Sequence, residues 1–416
     1  MSESVVSAGG AVRPVEVIRA QFPALRREHR GHPVAYFDGP GGTQVPEMVA
    51  DRMRDYLLNH NANTHWAYPS SEETDEFIAT ARVALADFLG ASPDEIAFGA
   101  NMTTLTFHVS RALAREWQAG DEVIVTELDH HANVDPWRAV ARERGLTVRT
   151  VPLDPVSGEL DWPALEAAFT PRTRLLAIGA ASNALGTITD VAAAARLAND
   201  AGALCFVDAV HFAPHATVDV RAIGCDLLAC SPYKFYGPHL GTMYVRRDLL
   251  ERLDVPKVEP AADNAPDRLE TGTLSHEAIV GAAAAVDFLA SLAPDATSRR
   301  EALRATMAGL HERNLRQVTR LWNALRALPG VSIYGPPPAR PRTSTLSFVL
   351  AGTASLDVAR HCASRGLFVS NGDFYALTVV RRLGHAADGL VRLGCAAYTS
   401  DEEVERVIAA LAELAG

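Results

Sequence analysis

Residues 226–245, DLLACSPYKFYGPHLGTMYV, place a lysine between two apolar segments. The segments DLLAC (226–230) and TMYVR (242–246) are nearly apolar throughout, which is typical of strands buried on both faces of a sheet. Lys234 lies in the connection, shortly after the first of them. In open α/β sheets, ligands bind beyond the carboxyl ends of the strands. The stretch therefore predicts a buried sheet with an amine at its functional edge.

Lysine is rare in this chain, because the 39 basic residues include only two lysines, Lys234 and Lys257. Arginine supplies the other positive charges, so a lysine can mark a place where a guanidinium group cannot do the chemistry. Imine formation is such a case, since it needs an amine that can lose its proton. Drift at a tolerated position is the alternative. Lys257 lies in a polar, proline-rich stretch, which leaves Lys234 as the candidate.

Further segments extend the strand pattern along the chain. EVIVT (122–126), RLLAIGA (174–180) and ALCFVD (203–208) are again short and apolar, and helical stretches lie at 160–169 and 190–200. Strands buried on both faces that alternate with helices indicate a mostly parallel, doubly wound sheet. The predicted fold class is therefore α/β.

The pattern changes after residue 256 in a way that predicts a second domain. A loop-like stretch (256–276) leads into a long helical region (276–328), and the strands TLSFVL (345–350) and LVRLGC (390–395) follow. Alternation of strands and helices resumes there, which indicates a separate α/β unit. We expect an N-terminal segment (1–30), a large domain (31–292) and a smaller C-terminal α/β domain (293–416).

The overall composition argues against several classes of protein. The 416 residues carry a formal net charge of −11, which disfavours binding to nucleic acid and to anionic membranes. No apolar run approaches the roughly 20 residues of a membrane-spanning helix, and the N-terminal sequence lacks the pattern of a secretory signal. The five cysteines form no C-x-x-C pair, so neither disulfides nor a zinc site is expected. We predict a protein of the reducing cytoplasm.

A buried amine at a sheet edge suggests the cofactor pyridoxal 5′-phosphate (PLP). A PLP site needs a lysine for an imine, an acid beside the pyridine nitrogen, donors for the phosphate and a flat group against the ring. Asp208 ends the strand ALCFVD and is a candidate for the acid, although a helix cap or turn would use the same residue. The small residues from Gly99 to Thr104 precede a helical run and are candidates for phosphate binding, although ordinary helix starts look the same.

Two adjacent histidines, His130 and His131, follow the strand EVIVT. A metal site is one interpretation, but neighbouring residues rarely chelate one ion and no third ligand is evident. An imidazole stacked on a cofactor ring is the other interpretation. It is the better one once PLP is accepted, so no metal is predicted.

Seven motifs, taken together, resemble a known family. They are YFDGPGGTQVP, GANMTTLTF, TELDHHANVDPW, ASNALGTITD, VDAVHFAPH, SPYKFYGPHLGTMYV and ETGTLSH. Their order and spacing resemble the class V aminotransferases of PLP fold type I, and the cysteine-desulfurase-like branch in particular. The resemblance extends over about 36–411 and implies a large sheet domain with a smaller C-terminal domain.

The resemblance implies roles for five residues of the reacting centre. Lys234 would form the imine with PLP, Asp208 would pair with its pyridine nitrogen, and His130 would stack on its ring. Asn183 would contact the 3′-oxygen of the cofactor. Arg392 in LVRLGC would grip the substrate carboxylate, a task that suits a bidentate guanidinium.

The phosphate contacts that the resemblance implies come from two subunits. Ala100, Asn101 and Ser231 would bind the phosphate within one subunit. Thr273 would reach the phosphate of a neighbouring subunit, so the resemblance implies a homodimer with shared active sites.

The chain also departs from the desulfurase pattern. Tyr233 and His211, both expected to face the cofactor, stand where many desulfurases have histidine and glutamine. Asn101-Met102 replaces a typical Thr-Glu pair. The loop that should carry the persulfide-forming cysteine reads VSNGDFYALTVV (369–380) and has none. Thiolate attack needs a mobile, exposed thiol, whereas Cys362 and Cys395 lie in a helix and a strand and look structural.

These features predict an enzyme whose Lys234 removes the Cα proton of an amino acid. We favour β-elimination from cysteine or an S-substituted cysteine, that is, C–S cleavage without a protein persulfide. Transamination, epimerisation and decarboxylation are alternatives within PLP chemistry. A non-catalytic sensor or scaffold is an alternative of another class, disfavoured because it needs neither Lys234, Asp208 nor Arg392. A transcription regulator is disfavoured because no DNA-binding helix-turn-helix segment is evident.

Overall fold

A computed structural model of the chain describes residues 12–416, and two sheets organise it. Three short strands come first, namely β1 Glu28–His29, β2 His32–Pro33 and β3 Ala35–Tyr36. The strands of the large sheet are β4 Ile96–Gly99, β5 Glu122–Thr126, β6 Thr147–Val151, β7 Thr173–Gly179, β8 Leu204–Asp208, β9 Leu227–Cys230 and β10 Gly241–Val245. The strands of the smaller sheet region are β11 Val331–Tyr334, β12 Thr345–Leu350, β13 Leu367–Phe368, β14 Ser370–Gly372 and β15 Leu390–Gly394.

Helices surround both sheets. They are α1 Val15–Arg19, α2 Glu47–Asp55, α3 Pro69–Leu89, α4 Met102–Ala114, α5 Asp135–Arg144, α6 Trp162–Ala167, α7 Val191–Asp200, α8 Val220–Ile223, α9 Arg247–Arg252, α10 His276–Ser291, α11 Arg299–Ala327, α12 Ser355–Ala363, α13 Leu377–Arg382 and α14 Asp401–Ala415. Among residues 12–416, none of them is both long enough and apolar enough to cross a bilayer.

The large sheet has the strand order β4-β10-β9-β8-β7-β5-β6. Strand β10 runs antiparallel to both of its neighbours, and the strands from β9 to β6 are parallel to one another. The chain runs from β5 outward to β6 and then returns to β7, so the order reverses beside β5 and β7. Ligands of doubly wound sheets bind at such a reversal.

Both faces of the large sheet are buried, which explains its continuous apolar strands. In β7, Leu176 and Ile178 enter the core that contains residues of α3, α7 and α10. Leu175 and Ala177 point the other way, into the core that contains residues of α4, α5 and α9. The predicted α/β architecture with a mostly parallel large sheet is confirmed.

The C-terminal sheet is antiparallel, in the order β11-β12-β15-β14. Residues of α11, α12 and α14 form its core together with Leu346 and Val391. Ala35 and Phe37, far away in sequence, are buried in the same core, because β3 pairs in parallel with β13. The N-terminal part of the chain is therefore attached to the C-terminal unit.

The helical region predicted at 276–328 is two helices, α10 and α11, rather than one. Pro294 lies in the interruption, and the side chain of Ser298 accepts a hydrogen bond from the N–H of Glu301 to cap α11. The proposed domain boundary near residue 292 falls at this interruption and stays a prediction.

Candidate active site

The carboxyl ends of four neighbouring strands surround a cavity at the reversal of strand order. Asp129 and His130 follow β5, Asp208 ends β8, and Lys234 follows β9. The cavity is lined by Asn101, Met102, Thr103, Asp129, His130, Ala132, Gly179, Ala181, Asn183, Asp208, Val210, His211, Ser231, Tyr233 and Lys234. Eight of the ten residues predicted to bind the cofactor thus meet in one place.

Lys234 ends a 3₁₀ turn, Pro232–Lys234, that directs its side chain back under the sheet edge. The side chain is buried, with 5% of its surface exposed. Burial lowers the pKa of Lys234 to about 7; the positive charge of Arg392 acts in the same direction, and the carboxylate of Asp208 opposes it. A large fraction of the amine is therefore uncharged at neutral pH, which is the form that acts as a nucleophile or base.

Asp208 is the carboxyl group of the cavity next to this lysine. Burial raises the pKa of Asp208 to about 6, although the N–H of Val210 and the charge of Lys234 lower it. The N–H of Val210 donates to Oδ1 at 2.9 Å. Oδ2 makes no hydrogen bond within residues 12–416, so it can accept one from a ligand.

His130 presents a neutral imidazole to the cavity. Its Nδ1 accepts a hydrogen bond from the N–H of Ala132 at 3.0 Å. Burial and the positive charge of Lys234 lower the pKa of His130 to about 3. The ring stacks on that of Tyr375, with centroids 5.5 Å apart and planes inclined by 24°. Both rings therefore offer flat faces at the entrance.

Arg392 lies in β15 and joins the C-terminal sheet to the cavity mouth. Its Nη1 donates to the carbonyl oxygen of Asn183 at 2.9 Å, and the ring of Phe374 covers its guanidinium plane at 4.1 Å from Cζ to the centroid. Burial lowers the pKa of Arg392 to about 9. Its Nε is buried and has no partner in the part of the chain that the structure describes. This unpaired donor suits a carboxylate ligand.

Two further buried side chains have an unpaired polar atom. Asn183 donates from Nδ2 to the carbonyl oxygen of Phe374 at 2.8 Å, but its Oδ1 has no partner among residues 12–416. His211 shares a hydrogen bond of 2.8 Å between Nε2 and Oγ1 of Thr345, and its Nδ1 is unpaired within the same range. Unpaired buried polar atoms are costly, so this pattern suits a polar ligand.

The residues predicted to bind phosphate are not all in this cavity. Ser231 lines it and is buried. Asn101 also lines it, but its side chain caps α4 by accepting from the N–H of Thr104 at 2.8 Å. Ala100 is exposed beside this helix start and is not among the lining residues. Thr273 is exposed and also lies outside the lining.

Tyr233 lines both the cavity and its mouth. Its ring stacks on that of His239, with centroids 5.0 Å apart and planes inclined by 11°. A Cβ atom added to Gly42 would lie 3.1 Å from the ring of Tyr233, so the backbone at Gly42 packs closely against that ring. The position before Lys234 is therefore held by packing as well as by stacking.

The sequence analysis missed Asp129, a second buried carboxyl group in the cavity. Its Oδ2 accepts a hydrogen bond from Oγ1 of Thr126 at 2.8 Å. Burial raises the pKa of Asp129 to about 8, and the charge of Asp208 adds to the effect. A Cβ atom added to Gly179 would lie only 2.3 Å from Oδ1 of Asp129, which is a steric clash. The absence of a side chain at Gly179 therefore makes room for the carboxyl group. The signal was available, because Asp129 also follows the end of an apolar strand.

No thiol lines the cavity. All five cysteines are buried, and none of them lines the cavity or its mouth. No cluster of histidine, cysteine and acidic side chains suited to a metal ion occurs within residues 12–416.

The cavity fits PLP. A lysine with a lowered pKa, a carboxyl group, a flat neutral imidazole, a helix start and unpaired donors and acceptors surround one space, which matches the groups of this cofactor. A doubly wound sheet with this set of residues at its reversal defines the class of PLP-dependent enzymes of fold type I.

Comparison with known proteins gives the family. Residues 35–407 match the sequence model of the family "Aminotransferase class-V". The chain is 31% identical to a cysteine desulfurase of Dickeya dadantii, over 96% of both chains. Its structure is similar to that of a cysteine desulfurase from Thermococcus onnurineus, with a TM-score of 0.88 and 28% identity over 98% of this chain and 99% of that one.

A cysteine desulfurase from Escherichia coli is similar as well, with a TM-score of 0.83 and 27% identity over 97% of this chain and 98% of that one. The chain therefore belongs to the class V aminotransferase family, and its cofactor is PLP.

Proposed function

We propose that this enzyme cleaves the C–S bond of cysteine or an S-substituted cysteine by β-elimination, without a protein persulfide. Its relatives include cysteine desulfurases, which supports a sulfur-containing amino acid as substrate. The observation that carries the proposal is a cavity with Lys234, Asp208 and Arg392 but no thiol. Such a site can deprotonate an amino acid but has no group that takes up sulfur.

PLP, when bound, supplies an electron sink that acidifies the Cα proton of an amino acid and lets a substituent leave from Cβ. The guanidinium of Arg392, whose Nε is unpaired within residues 12–416, binds the substrate carboxylate. The amine of Lys234, with a pKa of about 7, accepts the Cα proton. Asp208 holds a proton at the pyridine nitrogen, and His130 packs against the ring. Loss of the thiol or sulfide leaves an enamine, and water converts this product to pyruvate and ammonia.

We assign the remaining contacts to the rest of the predicted set. Asn183 and His211 face the 3′-oxygen side of the ring, where the second N–H of the Asn183 amide and the unpaired Nδ1 of His211 can donate to that oxygen. The phosphate binds at the start of α4, near Ala100 and Asn101, and at Ser231. Tyr233 contributes the wall between the cofactor and the mouth.

The aromatic loop supports elimination over persulfide formation. Where a desulfurase needs a thiol, this chain has Phe374 and Tyr375 at the mouth. Burial raises the pKa of Cys362 to about 11 and that of Cys395 to about 12, so neither is a thiolate at neutral pH. Sulfur therefore leaves as free sulfide or thiol.

The test is to incubate the pure PLP-loaded enzyme with cysteine, cystine and several cysteine thioethers. We expect pyruvate, ammonia and the released thiol, and no products with Lys234→Ala. A keto acid with transfer of the amine, carbon dioxide, or the D-enantiomer would instead identify transamination, decarboxylation or epimerisation. No product and no change in the cofactor spectrum with any amino acid would favour a sensor or scaffold.

We also propose a homodimer with shared active sites, located in the reducing cytoplasm. Exposed apolar residues cluster in sequence at Leu57, Leu58, Trp66 and Tyr68, and a large apolar surface commonly marks an interface. The segment between them lies close to the start of α10, because Nδ1 of His276 is 3.2 Å from the carbonyl oxygen of Ala62. Thr273 lies three residues before His276, exposed as a residue that serves a second subunit would be.

Sedimentation at micromolar concentration tests the dimer. We expect a dimer with the wild type, and loss of bound PLP with Thr273→Ala that exceeds the loss with Thr271→Ala, an exposed neighbour. A fully active monomer would contradict the shared site. Free thiols on all five cysteines in protein isolated from the cytoplasm would support the location.

A further inference from the structure

The loop between β14 and α13 adopts a conformation that large residues avoid. Phe374 has φ 57° and Tyr375 has φ 56°, so two consecutive aromatic residues lie in the left-handed region. Such backbone is rare for bulky L-residues and persists where the surroundings enforce it. Strained residues of this kind concentrate at ligand-binding sites.

Hydrogen bonds from the active site enforce this conformation. The amide of Asn183 donates to the carbonyl oxygen of Phe374, and the N–H of His131 donates to that of Tyr375, both at 2.8 Å. Within the loop, the N–H of Tyr375 donates to Oδ1 of Asp373 at 2.9 Å. The loop is therefore fixed to the cavity at two successive carbonyl groups.

The two rings are directed toward the positions that a substrate must use. Phe374 covers the face of Arg392, so a carboxylate can reach the guanidinium only at its edge. Tyr375 stacks on His130 and still has 74% of its surface exposed. An exposed aromatic face beside a binding site is suited to pack against a second flat apolar group.

Phe107 from α4 completes the wall of the mouth, which also includes Gly41 and Pro40. With the carboxylate at Arg392 and the amino group toward Lys234, the substituent on Cβ is left facing this wall. A lone thiol would leave the exposed face of Tyr375 uncovered, whereas an aryl or benzyl group on sulfur would fill the space.

We infer that Phe374 and Tyr375 are specificity-determining residues that select cysteine thioethers with a flat, aromatic group on sulfur. This inference rests on the proposed function and names the substrate class of the same site. In this inference, Phe374 restricts where the substrate carboxylate binds, and Tyr375 stacks on the substituent attached to sulfur.

The test compares the binding of S-benzylcysteine with that of S-methylcysteine, measured by the change in the near-visible spectrum of the PLP-loaded enzyme. This signal reports binding whichever reaction follows. We expect the wild type to bind S-benzylcysteine at least about tenfold more tightly, since aromatic packing adds to the burial of apolar surface. The ratio should fall to about twofold in Tyr375→Ala, because the stacking partner is gone. Phe374→Ala should weaken the binding of both thioethers, because they share the carboxylate that Phe374 helps to position.

Tyr375→Phe is the matched control, because it keeps the ring and removes only the hydroxyl group. It should retain the preference of the wild type. Equal binding of the two thioethers by the wild type, or an unchanged preference in Tyr375→Ala, would overturn the inference. A preference that persists while the product is a keto acid that still carries the sulfur substituent would overturn β-elimination and leave the inference intact.

Discussion

The side-chain amide of Asn183 donates to the carbonyl oxygen of Phe374 at 2.8 Å, while the Oδ1 atom of the same side chain is buried without a partner in the described chain. One residue thus connects the loop at the mouth to the cavity. We expect Asn183→Ala to raise KM about five- to a hundredfold, as the loss of a buried hydrogen bond implies.

The same substitution should shift the near-visible absorption of bound PLP, since Asn183 is proposed to face the 3′-oxygen. Steady-state kinetics and absorption spectra measure the two effects. Asn371→Ala, at an exposed position in the adjacent strand β14, is the control. An unchanged spectrum together with a raised KM would restrict Asn183 to holding the loop.

Replacing Lys234 tests the covalent attachment of the cofactor. Because the chain has only two lysines, Lys234→Arg and Lys257→Arg are a matched pair. After borohydride reduction, mass spectrometry should find the PLP adduct on the Lys234 peptide in the wild type and in Lys257→Arg, and nowhere in Lys234→Arg. An adduct on Lys257, or a colourless wild type, would contradict the site.

Asp208→Asn removes the negative charge proposed to keep the pyridine nitrogen protonated. We expect turnover to fall on the order of 100-fold, which corresponds to about 3 kcal/mol of activation free energy. Bound PLP, measured by absorbance, should remain. Asp161→Asn is the control, because Asp161 caps α6 and asparagine caps helices equally well. Normal turnover of Asp208→Asn would mean that another group serves the nitrogen.

Asp129 makes the stability of the protein depend on pH. The pKa of Asp129 is about 8 in the folded state, against an ordinary 3.8, so the unfolded chain releases this proton first. The free energy of unfolding contributed by Asp129 is therefore highest below about pH 4 and falls as the pH rises toward 8. Asp129→Asn cannot ionise and should flatten this decline.

Urea denaturation at pH 5 and pH 8 measures the effect. The difference in the free energy of unfolding between these two pH values should be smaller in Asp129→Asn than in the wild type and in Asp161→Asn, whose aspartate is at an exposed helix end. Equal pH dependence in all three proteins would show that Asp129 is ionised in the folded state at pH 5.

The cysteines should be dispensable for catalysis. Each of the five is buried and lies outside the cavity, so single changes to alanine or serine should leave turnover largely intact, with some loss of stability from the altered packing. Mass spectrometry during turnover should find no protein-bound persulfide. A persulfide on Cys362 or Cys395 that disappears with its substitution would restore a desulfurase mechanism.

The sequence predicted five of the seven strands of the large sheet and missed β4, although Ile96, Ala97 and Phe98 are buried. Strands such as β5 and β8 are apolar throughout, so their pattern is local and easily detected. Strand β6 escaped prediction because Thr147–Val151 is an edge strand, and most of its side chains are exposed or partly exposed. In the C-terminal unit, neither the antiparallel order nor the addition of Ala35 could be read from local patterns, since both depend on contacts between distant segments.

The site was predictable to a similar degree. Lys234 and Asp208 were found by their positions after apolar strands, whereas Arg392 and Asn183 came only from the family resemblance. The environment of Asp129 depends on the space that Gly179 leaves on a neighbouring strand, and a single sequence does not display that pairing. Thr273 lies outside the cavity of its own chain, so its role as a cofactor ligand stays a prediction that depends on a second subunit.

The pairing of β3 with β13 has a consequence for synthesis on the ribosome. Ala35 pairs with Leu367, and these two positions are 332 apart (367 − 35). At about 5–20 residues per second, the segment around Ala35 and Phe37 is exposed for roughly 20–60 s before its partner strand is made. During that interval two apolar residues of the C-terminal core have no cover from their final neighbours. The order of translation therefore leaves an exposed apolar segment on the nascent chain. We expect chaperones that recognise short apolar stretches to bind there.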